Sequence, residues 1–282
     1  MKHFTKAIEL KEYLNSIRLS GKKIGFVPTM GALHHGHLSL IHQSQKQSGH
    51  TIVSIFVNPT QFNNPEDFRL YPTQTEKDTA LLHEVGCDTV FMPDFNEIYP
   101  NGTSALPAYN RGYLESIMEG KYRPGHFQGV CQVVDILLEM VQPDLLFLGQ
   151  KDLQQCKVIE QLLKIKGQSG TIQLVICPTL READGLAMSS RNQRLSEEQR
   201  IKAAVIYQSL NKIRESVSVH SFIQIRDVAI KMMEAAGMDV EYLELVDLSN
   251  LEILDKWDKN RSMAVCVAAN IGSVRLIDNM IL

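Results

Sequence analysis

Residues 24–41 have the sequence IGFVPTMGALHHGHLSLI. The apolar run from Ile24 to Val27 predicts a short buried strand, which Pro28 and Gly31 interrupt. Apolar residues return at helical spacing from Leu38 onward. The stretch therefore predicts a strand, a tight loop and the start of a helix. In α/β proteins this arrangement usually binds phosphate, because the first N–H groups of the helix have no partner within it.

Segments of the same two kinds alternate along the first 177 residues. The further predicted strands are residues 51–57, 88–92, 144–148 and 171–176, and the predicted helices are residues 5–18, 75–85, 127–140 and 153–166. Thr5 and Thr75 are expected to cap the helices that they begin. Because strands alternate with helices, the expected fold class is α/β, with a parallel sheet covered by helices on both faces.

The pattern changes after residue 177. Residues 181–194 are polar and predict a loop, and Ser196 with Gln199 forms the signature of a capping box at the start of a helix. A second helix and three strands are expected at residues 221–236, 240–246, 263–269 and 274–277. We therefore expect two domains, with the ranges 1–176 and 177–282, of which the second is a smaller α+β domain.

The composition is that of an ordinary globular protein. Hydrophobic residues make up 44% of the 282 residues, charged residues make up 22%, and the net charge is −3. This balance provides no basic surface for nucleic acid or for a membrane, so a small-molecule partner is expected instead. The five cysteines are scattered without a CxxC pair and are expected to be reduced core residues. Since no signal peptide or membrane span is evident, the expected location is cytoplasmic.

Polar side chains follow three of the predicted strands, at the point where each strand ends. They are His34 and His37, Asn58 and Gln61, and Lys151 and Asp152. Ligands of parallel sheets bind at the carboxyl ends of the strands. We therefore expect the three segments to meet in one crevice.

The HxGH segment, residues 34–37, is the strongest candidate for a nucleotide site. Positions three apart share a helix face, so the N–H donors of His34 and His37 could face one phosphate chain while Gly36 leaves room for it. His35 lies off that face and is interpreted as a spacer. A histidine-rich surface turn is the alternative interpretation. A zinc site is a further one, but no suitably spaced Cys or Glu completes it, so no metal ligand is predicted.

Two later segments offer partners for phosphate. Met188-Ser189-Ser190-Arg191 is similar to the KMSKS-type loop of class I adenylating enzymes, whose N–H groups, hydroxyls and cation bind phosphates. Alone, it could be an ordinary solvated loop. In residues 149–155, Lys151 would neutralise phosphate and Gln155 could hydrogen-bond a substrate. The alternative there is a helix N-terminus with a solvated lysine and Asp152 as its cap.

Two other segments remain open between function and structure. The amides of Asn58 and Gln61 suit a small polar substrate, because they donate and accept hydrogen bonds without carrying charge. Residues 120–127, GKYRPGHF, could form a basic lid over a carboxylate or phosphate, or equally a structural turn. The chain has no GxGxxG, P-loop or GxSxG sequence, which argues against dinucleotide, P-loop and α/β-hydrolase sites.

These segments together resemble the pantoate–β-alanine ligases (pantothenate synthetases). The matching stretches are PTMGALHHGH (28–37), NPTQF with PED and YP (58–72), RPGHFQGV (123–130), PDLLFLGQKDLQQ (143–155) and READGLAMSSRN (181–192). They follow the family's order and span most of the first predicted domain and its junction with the second. Thr73 departs from the pattern, because the family usually has Arg there, which puts a local surface or substrate-loop contact in doubt.

The resemblance implies a Rossmann-like nucleotidylyltransferase domain, a smaller C-terminal domain that closes over the site as a lid, and a homodimer. It implies that ATP and pantoate form pantoyl adenylate and pyrophosphate, and that β-alanine then displaces AMP to give pantothenate for coenzyme A biosynthesis. Mg²⁺ would accompany the ATP phosphates.

The resemblance also implies roles for individual residues. His34, His37 and Lys151 would be catalytic, with His37 as the proton donor. Gln61, Gln155 and Asn58 would bind pantoate and β-alanine. The implied ATP-binding residues are Met30, Gly31, Ala32, Leu33, His34, His35, Gly36, His37, Gly149, Gln150, Lys151, Asp152, Leu180, Met188, Ser189, Ser190 and Arg191.

Two other functions fit the same motifs. One is a related nucleotidylyltransferase that stops after adenylyl transfer. The other is a nucleotide-binding regulatory protein without turnover, although a sensor has no need of Lys151 and two histidines to stabilise departing pyrophosphate.

Overall fold

The computed structural model describes all 282 residues. They form two compact units. The first unit comprises Met1–Gly149 and Gln155–Pro178, and the second comprises Gln150–Gln154 and Thr179–Leu282. The domain ranges expected from the sequence, 1–176 and 177–282 with a lid role for the second, stay a prediction.

The first unit is built on a parallel sheet of six strands in the order β1-β4-β3-β2-β5-β6. The strands are β1 Lys2–Phe4, β2 Ile24–Thr29, β3 His50–Ile55, β4 Thr89–Phe91, β5 Leu145–Gly149 and β6 Gln173–Cys177. Every pairing between neighbours is parallel. The α/β fold class with a parallel sheet is therefore confirmed.

Eight helices accompany this sheet. They are α1 Ala7–Leu19, α2 His35–Gln47, α3 Pro65–Arg69, α4 Thr75–Glu84, α5 Phe95–Ile98, α6 Met118–Tyr122, α7 His126–Val141 and α8 Leu153–Ile165, of which the first two residues of α8 lie in the second unit. Helix α2 packs against β2, β3 and β5, and α7 packs against β2 and α1. Both are held by apolar side chains, such as Ile41 and Phe127, that are almost completely buried.

Three local predictions in this unit are wrong. Pro28 does not end the strand, which continues to Thr29. The proline is tolerated because β5 pairs only with Gly25 and Phe26 of β2. At Pro28 the edge of β2 that faces β5 is therefore unpaired. The caps expected at Thr5 and Thr75 are not formed, because the residues at the two N-cap positions are Lys6 and Gln74 and neither caps with its side chain.

The second unit combines three helices with an antiparallel sheet in the order β10-β9-β7-β8. The elements are α9 Glu197–Ala203, α10 Val205–Ser216, α11 Phe222–Ala235, β7 Asp239–Asp247, β8 Ile253–Leu254, β9 Met263–Ile271 and β10 Val274–Ile281. The capping box is present, since Ser196 Oγ accepts from Gln199 N and Gln199 Oε1 accepts from Ser196 N. The break between α9 and α10 and the two-residue strand β8 were not predicted.

No helix of the structure is long and apolar enough to cross a membrane. All five cysteines are buried and free, as the sequence predicted.

Candidate active site

The HxGH segment forms the turn between β2 and α2. Gly31 and Ala32 have positive φ angles of 78° and 49°, which reverse the chain after β2. His34 is the N-cap of α2, and its ring nitrogen accepts a hydrogen bond from Gly36 N. The predicted order of strand, tight loop and helix start is confirmed.

The two imidazoles lie against each other, with ring centroids 4.1 Å apart. His34 precedes the helix, so the proposed sharing of a helix face is not the cause. Instead, His34 Nδ1 accepts from Gly36 N at 3.1 Å, and His37 Nδ1 accepts from His34 N at 3.3 Å. Because both Nδ1 atoms accept from the backbone, each neutral ring carries its proton on Nε2. The backbone therefore orients two Nε2–H donors, whereas His35 is exposed.

Asp78 of α4 holds the same loop and was not among the predicted site residues. Its side chain is almost completely buried, and its two oxygens accept from Ala32 N at 2.8 Å and Leu33 N at 2.7 Å. Burial raises the pKa of this carboxyl, and the two N–H groups offset part of the shift. The sequence placed Asp78 in the first turn of a helix but gave no sign that it would face a loop 45 residues away.

The Asn58–Gln61 segment follows β3, the strand beside β2. Asn58 and Gln61 are both buried, and Asn58 Nδ2 donates to Gln61 Oε1 at 3.1 Å. The hydroxyl of Tyr99, another residue that the sequence did not indicate, donates to Asn58 Oδ1 at 2.7 Å. This bond fixes which end of the Asn58 amide points to Gln61, and so leaves the Gln61 Nε2–H₂ group as the donor for a ligand.

Residues 123–130 support the same segment from α7. His126 Nδ1 donates to the carbonyl of Gln61 at 2.8 Å, and Arg123 donates to His126 Nε2 at 3.1 Å. At Gly129 a Cβ would lie only 2.4 Å from the carbonyl oxygen of Thr60, so this position requires glycine. For these residues the structure favours the structural interpretation over the basic lid.

Lys151 lies in a short 3₁₀ turn, Gln150–Asp152, that belongs to the second unit. Its ammonium group is 3.3 Å from both carboxylate oxygens of Asp152. Asp152 is therefore an ion-pair partner of the lysine, whereas the alternative interpretation expected it to cap the helix beside a solvated lysine. Gly149, at the end of β5, and Gln155, half-buried on α8, belong to the first unit.

The SSRN loop, residues 180–192, is also built within the second unit. Arg181 and Ala187 form an antiparallel bridge, and Met188 N donates to the carbonyl of Leu180 at 3.1 Å. Ser189 caps the following 3₁₀ turn by accepting from Arg191 N at 3.3 Å. The predicted polar loop is thus an ordered hairpin-like turn.

The structure divides the predicted site residues between the two units. The first unit contains those at or after the ends of the adjacent strands β2, β3 and β5, namely residues 30–37, Asn58, Gln61 and Gly149, with Gln155 on α8. The second unit contains Gln150, Lys151, Asp152, Leu180 and residues 188–191. The convergence of all these segments in one crevice, and the role of each residue, stay predictions. No group of three or more His, Cys, Asp or Glu side chains is arranged to hold a metal ion.

Comparison with protein families identifies this combination of segments. The model of the pantoate–β-alanine ligase family matches residues 2–281, which is nearly the whole chain. The chain belongs to the pantoate–β-alanine ligase family. The predicted family and the prediction of a ligase are thereby confirmed.

Individual relatives of this ligase family match over their full length. The pantothenate synthetase of Cytophaga hutchinsonii is 42% identical over 97% of this chain and 96% of its own. That of Porphyromonas gingivalis is 42% identical over 99% of each chain. The pantothenate synthetase of Thermus thermophilus is 38% identical in sequence, and its crystal structure superposes with a TM-score of 0.91 over 99% of both chains.

A further structure of the family contains bound ligands. The pantoate–β-alanine ligase of Francisella tularensis, complexed with β-γ ATP and β-alanine, is 36% identical. It superposes with a TM-score of 0.84 over 99% of this chain and 97% of its own.

Proposed function

We propose that this chain condenses pantoate with β-alanine through a pantoyl-adenylate intermediate and releases AMP and pyrophosphate. The observation that carries the proposal is the ligand pair of the Francisella relative, which corresponds to two of the three proposed substrates. The paired Nε2–H donors of His34 and His37 support it, because adenylation requires donors aimed at a phosphate chain.

In the first step, a carboxylate oxygen of pantoate attacks the α-phosphorus of ATP. The bond from that phosphorus to the bridging oxygen breaks, and pyrophosphate leaves with the electron pair. A carboxylate is already a competent nucleophile, so the step requires in-line positioning and charge stabilisation but no base. We assign charge stabilisation to His34, His37 and Lys151, with the Nε2–H of His37 as a hydrogen-bond donor to the phosphate oxygens, and Mg²⁺ enters as part of the ATP substrate.

In the second step, the amine of β-alanine attacks the acyl carbon of the adenylate. The bond from that carbon to the phosphate oxygen breaks, AMP leaves, and the nitrogen releases a proton to the solvent as the amide forms. Because the adenylate is a labile mixed anhydride, water must be excluded while it waits for the amine.

Substrate binding is assigned to the amides of Gln61, Gln155 and Asn58. The orientation of Gln61 supports this role, since its Oε1 is engaged by Asn58 and its N–H₂ group suits the carboxylate or hydroxyl oxygens of pantoate. ATP binding is assigned to residues 30–37, Gly149–Asp152, Leu180 and residues 188–191. A homodimer and a cytoplasmic location accompany the proposal as further predictions.

An AMP-release assay with each substrate omitted in turn tests the function. AMP should appear only when ATP, pantoate and β-alanine are all present, and pantothenate should form in equal amount. If pyrophosphate is released over many turnovers without β-alanine, the protein is an adenylyltransferase instead. The absence of AMP under all conditions would indicate a binding protein without turnover.

A further inference from the structure

Asn279 of β10 is connected to the turn that contains Lys151 by three hydrogen bonds, two of which reach the main chain of that turn. Its side-chain Nδ2 donates to the carbonyl of Gln150 at 2.8 Å and to the carbonyl of Lys151 at 2.9 Å. In return, Gln150 Nε2 donates to Asn279 Oδ1 at 3.1 Å. Since Asn279 is only 2% exposed, its amide has no water to replace these partners.

The preceding residue, Asp278, holds the SSRN loop in a comparable way. Its buried carboxylate accepts two hydrogen bonds from the guanidinium of Arg181, at 2.6 and 3.0 Å. The same guanidinium donates to the carbonyls of Gly185 and Asn279, both at 3.1 Å. Arg181 therefore joins the base of the SSRN loop to β10.

Two adjacent residues of one strand thus hold two segments that are far apart in the chain. Burial raises the pKa of Asp278, while Arg181 and, to a smaller extent, Lys151 lower it, so the Lys151 charge acts on the same buried carboxylate. A 3₁₀ turn of three residues leaves carbonyl groups that need hydrogen-bond donors, and the side-chain N–H₂ group of Asn279 provides two such donors.

We propose that Asn279 is a positioning residue for Lys151. By fixing the main chain of Gln150 and Lys151, Asn279 sets the position of the Lys151 Cα atom. The lysine side chain can then bind one polyphosphate together with Ser189, Ser190 and Arg191. This inference rests on the proposed function, since it assigns a phosphate-binding role to Lys151. It adds a residue that has no contact with the substrate and acts only through the lysine.

The test is a double-mutant cycle read by pantoate-dependent exchange of pyrophosphate into ATP. The variants are N279A, K151A, the double variant, and N270A as a matched control. Asn270 lies on the neighbouring strand β9, and its Nδ2 donates to the half-buried carboxylate of Glu241 at 3.0 Å. Thermal unfolding of each variant shows whether it is folded at the assay temperature.

We expect N279A to lower the exchange rate by about 10- to 100-fold, since a displacement of about 1 Å at a catalytic group has an effect of this size. N270A should stay within about 2-fold of the wild type, because the side chain of Asn270 bonds to Glu241 and not to the Lys151 turn. The double variant should be no slower than K151A, because Asn279 acts through the lysine. If N279A is unfolded, N279D makes the same test, since it keeps the shape of the side chain but has no N–H₂ group.

Two outcomes would overturn the inference. One is that N279A exchanges pyrophosphate as fast as N270A, and the second is that N279A slows exchange in the K151A background by the same factor as in the wild type. The second outcome would assign Asn279 a general structural role. A wild-type protein without pantoate-dependent exchange would instead contradict the proposed function, so the two failures are distinguishable.

Discussion

The loop that contains His34 and His37 and the turn that contains Lys151 are held by opposite kinds of side chain. In the first, Asp78 presents two acceptor oxygens to the N–H groups of Ala32 and Leu33. In the second, Asn279 presents an N–H₂ group to the carbonyls of Gln150 and Lys151. Both holding residues are almost completely buried, and both come from a distant part of the chain.

The difference follows from which main-chain groups each loop directs toward its holding residue. The loop before α2 directs the N–H groups of Ala32 and Leu33 toward α4, so an acceptor is required. The turn at Gln150 and Lys151 directs carbonyls toward β10, so a donor is required. A carboxylate can only accept, whereas an amide can donate twice from one nitrogen, and the two residue types match the two needs. The comparison indicates that the geometry of each candidate phosphate-binding loop is set by a residue outside its own motif.

We expect the largest fall in the adenylation rate when one of the groups assigned to phosphate binding is itself removed. K151A and H37A should each lower the single-turnover rate of adenylate formation by about 100- to 1,000-fold, the range for removing one donor to a developing charge. ATP binding, measured by calorimetry, should change much less. K157A is the matched control for the lysine, since Lys157 pairs with Glu160 on α8 at a distance of 3.0 Å. A near-wild-type adenylation rate in either variant would remove that residue from the proposed mechanism.

D78N should have the next largest effect, because one loop N–H would then face an N–H₂ group instead of an oxygen. We expect adenylation to slow by about 10- to 100-fold, as for other displacements of about 1 Å at a reacting group. The control is D88N, since Asp88 Oδ2 also accepts from a backbone N–H, that of Thr51, but at the amino end of β3. Equal effects of D78N and D88N on adenylation would show that loss of stability, rather than loop geometry, is responsible.

Y99F should act more weakly, through the chain of contacts from Tyr99 to Asn58 to Gln61. Loss of the hydroxyl removes one hydrogen bond, so we expect the KM for pantoate to rise by about 3- to 10-fold. The kcat should hardly change, because the contact is made equally in the ground state and the transition state. The exposed Tyr113 provides a control in Y113F. A fall in kcat at constant KM would argue against this role for Gln61.

The smallest expected effect is a pH dependence that distinguishes the two holding residues. The folded-state pKa of Asp78 is raised by burial, so its contribution to stability is fully present below the unfolded-state pKa and is lost as the pH rises through the folded-state pKa. The wild type should therefore gain stability relative to D78N as the pH falls from neutral toward the ordinary value of 3.8.

N279A provides the comparison, because that substitution removes no titratable group. Its difference in unfolding free energy from the wild type should be nearly constant over the same pH range. Urea unfolding of the three proteins at a series of pH values measures both differences. A D78N difference that is also independent of pH would show that the Asp78 carboxyl is not titrating above its ordinary range.

The sequence predicted the features that local pattern determines. The strands around residues 24–29, 50–55 and 145–149, and the tight loop and helix that follow the first of them, agree with the apolar runs and with the glycine at position 31. Membership of the ligase family also followed from the sequence, because the motif segments occur in a fixed order. β1 was missed, since three residues with only one apolar side chain give no strand signal, and it forms by pairing with β4.

The residues that hold the loops could not be predicted in this way. Asp78 has the pattern of an ordinary acid in the first turn of a helix. Asn279 lies beyond the last predicted strand, residues 274–277, although β10 continues to Ile281. Each becomes recognisable only when the fold brings it to main-chain groups at least 45 residues away in the chain. Nothing in the pattern of residues 150–154 indicated that they would pack with the second unit rather than with the strand before them.

The proposed function requires that the chain activates pantoate by adenylation before β-alanine takes part. The most direct test is the exchange of labelled pyrophosphate into ATP by the wild-type protein without β-alanine. We expect rapid exchange when pantoate is present and no exchange when pantoate is omitted. Exchange that is independent of pantoate, or no exchange in a preparation that forms pantothenate and AMP when all substrates are present, would contradict the proposed function.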